Sequence, residues 1–470
     1  MNLLARIAPG LALKRARNRR KLEALSAIKG RYESGYPYSR ERSSNRNLYR
    51  REAPTPDLYS LSVIRDRARH LEQNTAIVPS VLNHISTSLI GEGVIPDPVI
   101  TTASGDALIE LSDKFKELWY EWQSRAETSG VYSELEAQDL TVRTYYRDGE
   151  VFIHHLVGKE TTNSRIPYSY SLIESDSLLS NMDYTDGIIC NDYGRPIRYR
   201  FGSAMNADDV VEIDAKLVSH FLNRVRIGQR RGVSFLASVI SDIEDIDEID
   251  NAERVAAKVA STLVLAVHKD SQMEVVVDDF EDDDVKDIEF SHGAIIDDLA
   301  PGEKMEVIES NRPSGEHMNF RKALLRNVAG GIGSVSYSNM ARDYSGTYSS
   351  QRQELVEMHG VLKQHWRRYI ESVEVKKWKF FVDACKISGL ITIPNSATQR
   401  SVYYPNYTPP VMPWIDPAKE IKYFTGLIDK GLDSREYIAG IRGRDWKEIE
   451  RQLEAERDSN AENNSMNNAT

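Results

Sequence analysis

The run Gly331-Ile332-Gly333-Ser334-Val335-Ser336 has the small, polar character of a phosphate cradle, in which backbone N–H groups close around an anion. It lacks the third glycine of a dinucleotide loop, and it follows a helical pattern where such a loop follows a strand. The phosphate loop of a nucleotide motor, G-x-x-x-x-G-K-[ST], occurs nowhere in the chain. The acidic run at 278–287, DDFEDDDVKD, offers oxygen ligands of the kind calcium takes. It has neither the glycine at loop position six nor the terminal glutamate of an EF-hand, and it reads as a solvated acidic loop. His154 and His155 are adjacent in a strand pattern, which sends them to opposite faces and prevents joint ligation of one metal. Cys190 and Cys385 have no paired-ligand or redox spacing, so both read as structural thiols and no zinc site is expected. Neither G-x-S-x-G nor H-E-x-x-H is present. A triad assembled from distant segments stays open. The residues point away from an enzyme and most strongly away from an ATPase; no cofactor and no metal is expected.

The elements around these groups are helical with an inserted strand region. Residues 60–90 carry apolar side chains at helical spacing, first Leu61, Ile64, Ala68 and Leu71, then Ile77, Val81, Ile85 and Leu89. Helices are expected over 104–125 and 133–147, followed by a strand at 150–157 and by strand-like alternation from 168 to 222. Asp192-Tyr193-Gly194 supplies the turn chemistry of a hairpin. From Ser234 to about Lys269 there is neither Pro nor Gly, and Ile240, Ile243, Ile246 and Ile249 form one narrow stripe. At ~1.5 Å per residue such a rod of about 34 residues would run roughly 50 Å. Its first half holds Asp242, Glu244, Asp245, Asp247, Glu248 and Asp250, more acid than a helix N-terminus requires. A rod with one thin apolar stripe is expected to pack in a ring or bundle. Short strands are expected over 272–310, a helix over 317–329, a long helix from about 349 to 384, and two final helices over 417–429 and 433–456. Pro410-Val411-Met412-Pro413 lies in a proline-rich stretch read as a structural crossing segment.

Composition sets outer bounds. At 470 residues several domains or layers are expected. No window approaches the ~18 uninterrupted apolar residues of a membrane span. The N-terminus places most of its positive charge after its apolar run, the reverse of a signal peptide, so secretion is not expected. The net charge of −11 is uneven: residues 1–51 hold 14 Lys/Arg against 3 Asp/Glu, a net +11, which leaves −22 on the remainder. Residues 241–300 alone hold 19 acids against 4 bases. A basic arm on an acidic body disfavours tight duplex binding over most of the surface. The arm, with its interleaved Tyr and Arg, suits docking on a neighbouring subunit, and nucleic acid is the second reading.

The stretch at 325–352 breaks two good helices with glycine, serine and tyrosine, a length of break that is uncommon unless functional or disordered. Its polar and aromatic members are Ser334, Ser336, Tyr337, Ser338, Asn339, Met340, Arg342 and Tyr344, and Gly330, Gly331, Gly333 and Gly346 offer hinge freedom.

A series of stretches in consistent order resembles the portal proteins of lambda-like tailed phages. They include RDRARHLEQNTAIVPSVLNHI with GEGVIPDP, RDGEVFIH, SLIESDSL, GIICNDYGRPIRYRF and VSHFLNRVRIGQRRGVSFLASVI. NAERVAAKVA, LAPGEKMEVIESNRPS, ARDYSGTYSSQRQE and WIDPAKE follow. Gln229-Arg230-Arg231-Gly232-Val233-Ser234 and Tyr348-Ser349-Ser350-Gln351-Arg352 are the most specific parts, and the resemblance covers roughly 57–455.

The resemblance implies an α+β, helix-rich subunit of wing, stem, clip and crown that assembles into a ring, typically of twelve copies. The implied map is a basic arm at 1–56, wing at 57–230, stem helix at 231–267 and clip at 268–312. It continues with a second stem helix at 313–331, a channel loop at 332–347, a long helix at 348–384, a C-terminal wing and crown part at 385–455 and a tail at 456–470. The helix at 317–331 reads as shorter than its partner rod. The implied role is a conduit at one capsid vertex of the virion, assembled in the host cytoplasm and without catalysis of its own. Double-stranded DNA would pass through the channel and face Ser334, Ser336, Tyr337, Ser338, Asn339, Met340, Arg342 and Tyr344 of the loop; the partners would be the terminase large subunit, a head–tail connector and the major capsid protein, with no membrane. An acidic stem suits sliding, because many phosphate contacts would create affinity. The competing expectations are a nucleic-acid-binding virion protein whose body is a scaffold, and a terminase-associated enzyme.

Overall fold

The computed structural model describes residues 58–158, 164–180, 186–203, 206–261, 265–269, 303–307, 315–410, 417–441 and most of 446–457. The expected basic arm, the acidic run at 278–287, most of the expected clip, residues 411–416 and the tail beyond Arg457 lie outside them. The described residues fall into two compact units, one reaching up to Asp242 and resuming at Leu325, the other Ile243–Leu324.

The first unit opens with α1 (Leu58–Asn74) and α2 (Ile77–Ile90). In α1, Leu61, Ile64, Ala68 and Leu71 are buried at the spacing of one helical face. Each buried leucine or isoleucine of that face contributes about 1.5–3 kcal/mol. α3 (Ile109–Gln123) brings Phe115, Trp119 and Trp122 into the core. α4 (Glu134–Asp148) starts where Ser133 accepts a hydrogen bond from the Glu136 N–H, and it stops at Gly149 in the left-handed region (φ 89°).

Two antiparallel three-stranded sheets follow. The first has the order β2 (Tyr168–Ile173), β1 (Glu150–Val157), β6 (Val218–Leu222); the second has the order β3 (Ile188–Cys190), β4 (Pro196–Ser203), β5 (Asn206–Asp214). The expected hairpin turn is present between β3 and β4, where the Asn191 side chain accepts from the Tyr193 and Arg195 N–H groups. Phe152, Tyr199, Phe201, Ile213 and Val218 share one apolar cluster that joins the sheets.

Where β1 begins, the chain is pinned by backbone contact. A Cβ on Gly149 would lie 2.2 Å from the Val233 carbonyl carbon, and one on Gly232 would lie 2.1 Å from the Gly149 oxygen. The Asn223 N–H donates to that same Gly149 oxygen at 2.8 Å. Beside this contact Glu150 is fully buried. Its carboxylate accepts from Arg231 Nε (2.8 Å), Arg65 Nη2 (3.1 Å) and the Gly232 N–H (2.7 Å), with His220 Nε2 at 3.1 Å. Burial alone would raise the Glu150 pKa, but the Arg231 charge, the His220 hydrogen bond and the Arg65 charge together hold it well below the ordinary carboxylate range. Next to it Asp148, also fully buried, pairs with Arg69 at 2.7 Å and with Arg147 at 2.8 Å.

The rod differs from expectation. Helix α5 spans Ile240–Ser261, 22 residues. Upstream, Ser234 turns the chain by accepting the Leu236 N–H, and residues 235–239 form turns. Downstream, β7 (Leu265–Lys269) pairs antiparallel with β8 (Glu303–Val307). Short apolar runs such as Leu265-Ala266-Val267 suit a helix or a strand equally, and here pairing with a distant segment settles the matter. Helix α6 (Gly315–Ile332) has 18 residues, so the two helices are closer in length than the sequence implied.

The remaining elements are α7 (Tyr337–Ala341) and α8 (Tyr348–Tyr369), then a single π turn (Ile370–Glu374) leading without a break into α9 (Val375–Ile387). After them come α10 (Gln399–Tyr403), α11 (Pro417–Asp429) and α12 (Arg435–Ile441). Trp378 and Phe381 of α9 pack on Trp119 with ring centroids 5.5 and 5.0 Å away. In the same core Lys377 is fully buried between Glu134 (2.7 Å) and Glu374 (3.1 Å).

The glycine contact yields a paired prediction. Gly232→Ala should destabilise the chain by about 4 kcal/mol or more, because its methyl meets backbone. Gly330→Ala, helical and open to space, should be neutral or stabilise by up to about 1 kcal/mol. Urea unfolding of the two full-length variants separates them, and equal midpoints would refute the backbone-contact account.

Candidate functional site

The candidate site is the chain between α6 and α8, and it is more folded than its composition implies. α6 runs on through Gly330 and Gly331 to Ile332, and the Gly333 N–H then closes the helix on the Ala329 carbonyl at 2.9 Å. Of the four expected hinge glycines only Gly333 has positive φ (73°). Gly331 serves close packing, since a Cβ there would lie 2.3 Å from Val239 Cγ1. Gly346 has ordinary backbone, with Ser350 Oγ 3.2 Å from its Cβ position.

Ser334, Ser336, Ser338 and Met340 are buried in the protomer. The expectation that these four are presented by an open loop is therefore corrected, because one helix cap within the segment and hydrogen bonds to distant parts of the chain fold it inward. Ser334 Oγ is 3.1 Å from the buried Tyr146 hydroxyl. Ser336 caps α7 by accepting the Asn339 N–H at 3.2 Å, and the Ser338 N–H donates to Glu354 at 3.3 Å. Asn339 Nδ2 donates to His84 Nε2 at 3.1 Å. The half-buried Tyr337 donates to Asp343 at 3.0 Å and lies under Arg326, 5.0 Å from the ring centre.

The exposed part is shorter and follows α7. Arg342 ends that helix with φ 53°, the one positive value at a non-glycine residue among those described. Tyr344, Ser345 and Gly346 are exposed beside it. Gln351 holds the segment by donating to the Tyr344 carbonyl at 2.7 Å, and Thr347 caps α8 by accepting the Ser350 N–H. Burial lowers the pKa of His84, and the Arg342 charge lowers it further. The structure thus gathers Arg342 and Tyr344 on one surface turn and separates them from the buried serines.

The acidic residues of α5 are largely committed. Asp242 accepts from Asn327 at 2.7 Å, and Asp247 accepts from Asn251 at 3.2 Å. Asp250 pairs with Arg321 at 2.8 Å and lies 3.6 Å from His317. Glu244, Asp245 and Glu248 also have partners. Arg321 offsets the charge of Asp250, whereas Asn327 and Asn251 are neutral donors that hold Asp242 and Asp247 in place and leave them charged.

Sequence reasoning missed the residues that hold the segment. Tyr146 meets the segment at Ser334 and is backed by His365, with ring centroids 5.5 Å apart and Phe235 beside both. The His365 pKa is lowered to about 4 by burial and by Arg368. It also missed Glu150, Arg65 and His220, although RDGEVFIH and GQRRGVS had marked two of the contacting stretches. His155, rejected as a ligand on spacing, is buried between the Tyr168 and Ser219 hydroxyls, 2.8 Å from each. Among the described residues no group of three or more His, Cys, Asp or Glu is placed to hold a metal, and no helix is long and apolar enough to cross a membrane.

Comparison with known proteins adds the lineage. A family model described as phage portal protein, lambda family, matches residues 39–365. The portal protein of Escherichia phage N15 is 26% identical over 165 residues, 33% of this chain and 31% of that protein. Portal protein B of Escherichia phage lambda matches with the same figures. The match thus spans about a third of the length of those relatives. In fold, the chain is similar to one from the virion of a native gene transfer agent particle, with TM-score 0.50 and 10% identity, covering 81% of this chain and 93% of that one.

Two predictions test this backing of the segment. Tyr146→Phe should cost about 1 kcal/mol and speed hydrogen exchange at residues 334–346; unchanged exchange would show that the Ser334 contact does not anchor them. A His held neutral when folded takes up its proton on unfolding, so its contribution is present above pH 6.5 and is lost as pH falls toward 4. His365→Asn should flatten that limb of the Tm–pH curve, and parallel curves would remove His365 from it.

Proposed function

The chain belongs to the lambda family of phage portal proteins, and on that premise we propose that it is itself a portal, a ring-shaped conduit at one capsid vertex. Double-stranded DNA passes through its centre during packaging and ejection. Twelve copies form the ring; the terminase large subunit docks during packaging, a head–tail connector replaces it, and the major capsid protein surrounds the wing. The protein assembles in the host cytoplasm and resides in the virion. Its role is structural and directional, with no catalysis of its own.

The observation that carries this reading is the family match across residues 39–365. Three features of the protomer support it. Helices α5 and α6 have the thin apolar stripe and lateral polar contacts of stem helices that pack side by side, including Asp250–Arg321. The acids of α5 outnumber its bases, and Asp242 and Asp247 are held by neutral asparagines, which keeps negative charge on a wall past which phosphates slide. The turn at 342–346 presents one arginine and one tyrosine on a firmly capped support. We assign the DNA-facing role to Arg342 and Tyr344 in this conformation. Ser334, Ser336, Tyr337, Ser338, Asn339 and Met340 become the base on which that turn rests.

Electron microscopy of the purified full chain should show rings with a central hole, and monomers alone at micromolar concentration would refute the portal. Deleting residues 343–346 should leave the rings intact and lower the DNA packaged or retained by about tenfold, roughly the effect of losing one positioning contact. Normal packaging by that variant would sink the assignment of the turn.

A further inference from the structure

We propose that the turn at 224–228 is a docking finger that inserts into a second copy of this chain, where it meets the patch formed by Val131, Tyr132 and Leu135. The inference rests on the ring reading and identifies the surfaces that close the ring.

The finger is built to hold an apolar tip in water. Ile227 is 97% exposed and Val225 58% exposed. Beneath them Gln229 is buried and uses both ends of its amide. Its oxygen accepts the Val225 and Arg226 N–H groups at 2.9 and 3.1 Å, and its nitrogen donates to the Asn223 and Arg231 carbonyls at 3.1 and 2.7 Å. Arg224 folds back on the Gln229 carbonyl at 3.4 Å, and Gly228 takes φ 77° to complete the turn. A buried amide satisfied four ways preorganises the loop, so docking costs little conformational entropy. An isoleucine displayed on so rigid a support is unfavourable in water and gains when covered.

The occupant follows from symmetry and charge. A closed ring is made by head-to-tail contacts, in which each copy presents two different surfaces. The finger is tied to the C-terminal end of α4, where the Asn223 N–H donates to the Gly149 carbonyl. At the other end of α4, about 22 Å away at 1.5 Å per residue, Val131 is 73% exposed, Leu135 46% and Tyr132 37%. The exposed Glu136 borders that patch, and the exposed Arg224 and Arg226 border Ile227. An apolar tip with basic flanks and an apolar patch with an acidic flank, at opposite ends of one helix, are complementary between copies.

Ile227 makes none of the hydrogen bonds that shape the turn, so Ile227→Asp should leave the circular dichroism and Tm of the protomer unchanged. In native mass spectrometry it should reduce rings by about tenfold or more at equal concentration. A chain carrying Ile227→Cys, Leu135→Cys and Cys190→Ser, with the buried Cys385 kept, should form a ladder of disulfide-linked multimers on oxidation, and a chain with either introduced cysteine alone should not. Rings at wild-type abundance in Ile227→Asp would overturn the finger and leave the portal reading standing. Rings without a ladder in the chain carrying both introduced cysteines would overturn the assigned patch. A wild-type chain that makes no rings would overturn both readings.

Discussion

A carboxylate removed from water sets the frame of this protein. Glu150 is fully buried, and an isolated charge in that position would cost several kcal/mol. It is tolerated because two guanidinium groups, a histidine and a backbone N–H converge on it from three other parts of the chain. Arg65 comes from α1, His220 from β6, and Arg231 and Gly232 from the link toward α5. Removing any one leaves the others around an undercompensated charge, so the four segments are fixed as a set. The bare backbones of Gly149 and Gly232 bring the two chains near enough for this to happen.

A second buried charge cluster ties the long helix to the same body. Lys377 lies between Glu134 and Glu374, and the Tyr170 and Tyr369 hydroxyls donate to those two carboxylates at 2.5 and 2.6 Å. The π turn at Ile370–Glu374 supplies the extra residue that brings Glu374 and Tyr369 to one side. Through α8, π turn and α9 the helix is continuous from Tyr348 to Ile387, so the exposed turn at 342–346 adjoins one end and the aromatic core the other. The surface turn is therefore short, capped at both sides and set on an anchored support.

Much of this was legible in the sequence. The apolar face of α1 followed from Leu61, Ile64, Ala68 and Leu71, the hairpin from Asn191–Gly194, and the separation of His154 from His155 from strand geometry. The ordered motifs pointed to the portal family on residues whose physical purpose was hidden. Arg231 and Glu150 are 81 positions apart, and nothing local tells that one neutralises the other. Glycines illustrate the same gap. Gly330 and Gly331 looked like hinges because glycine permits turning, yet both are helical, and Gly331 is small because Val239 leaves it no room.

What the sequence determined by itself was everything that depends on periodicity, turn chemistry and charge count: most helices, the sheet region, the positive charge of residues 1–51 against an acidic remainder, and the family. Tertiary structure alone decided which polar residues face inward. Ser334, Ser336, Ser338 and Met340 have the composition of an open loop, but a buried tyrosine hydroxyl, a helix cap and a glutamate draw them in. Tertiary structure also ended the rod at Ser261, where pairing of β7 with β8 competes with further helix. In both places the physical reason is the same. A hydrogen bond to a segment far along the chain outweighs a local preference of a fraction of a kcal/mol per residue.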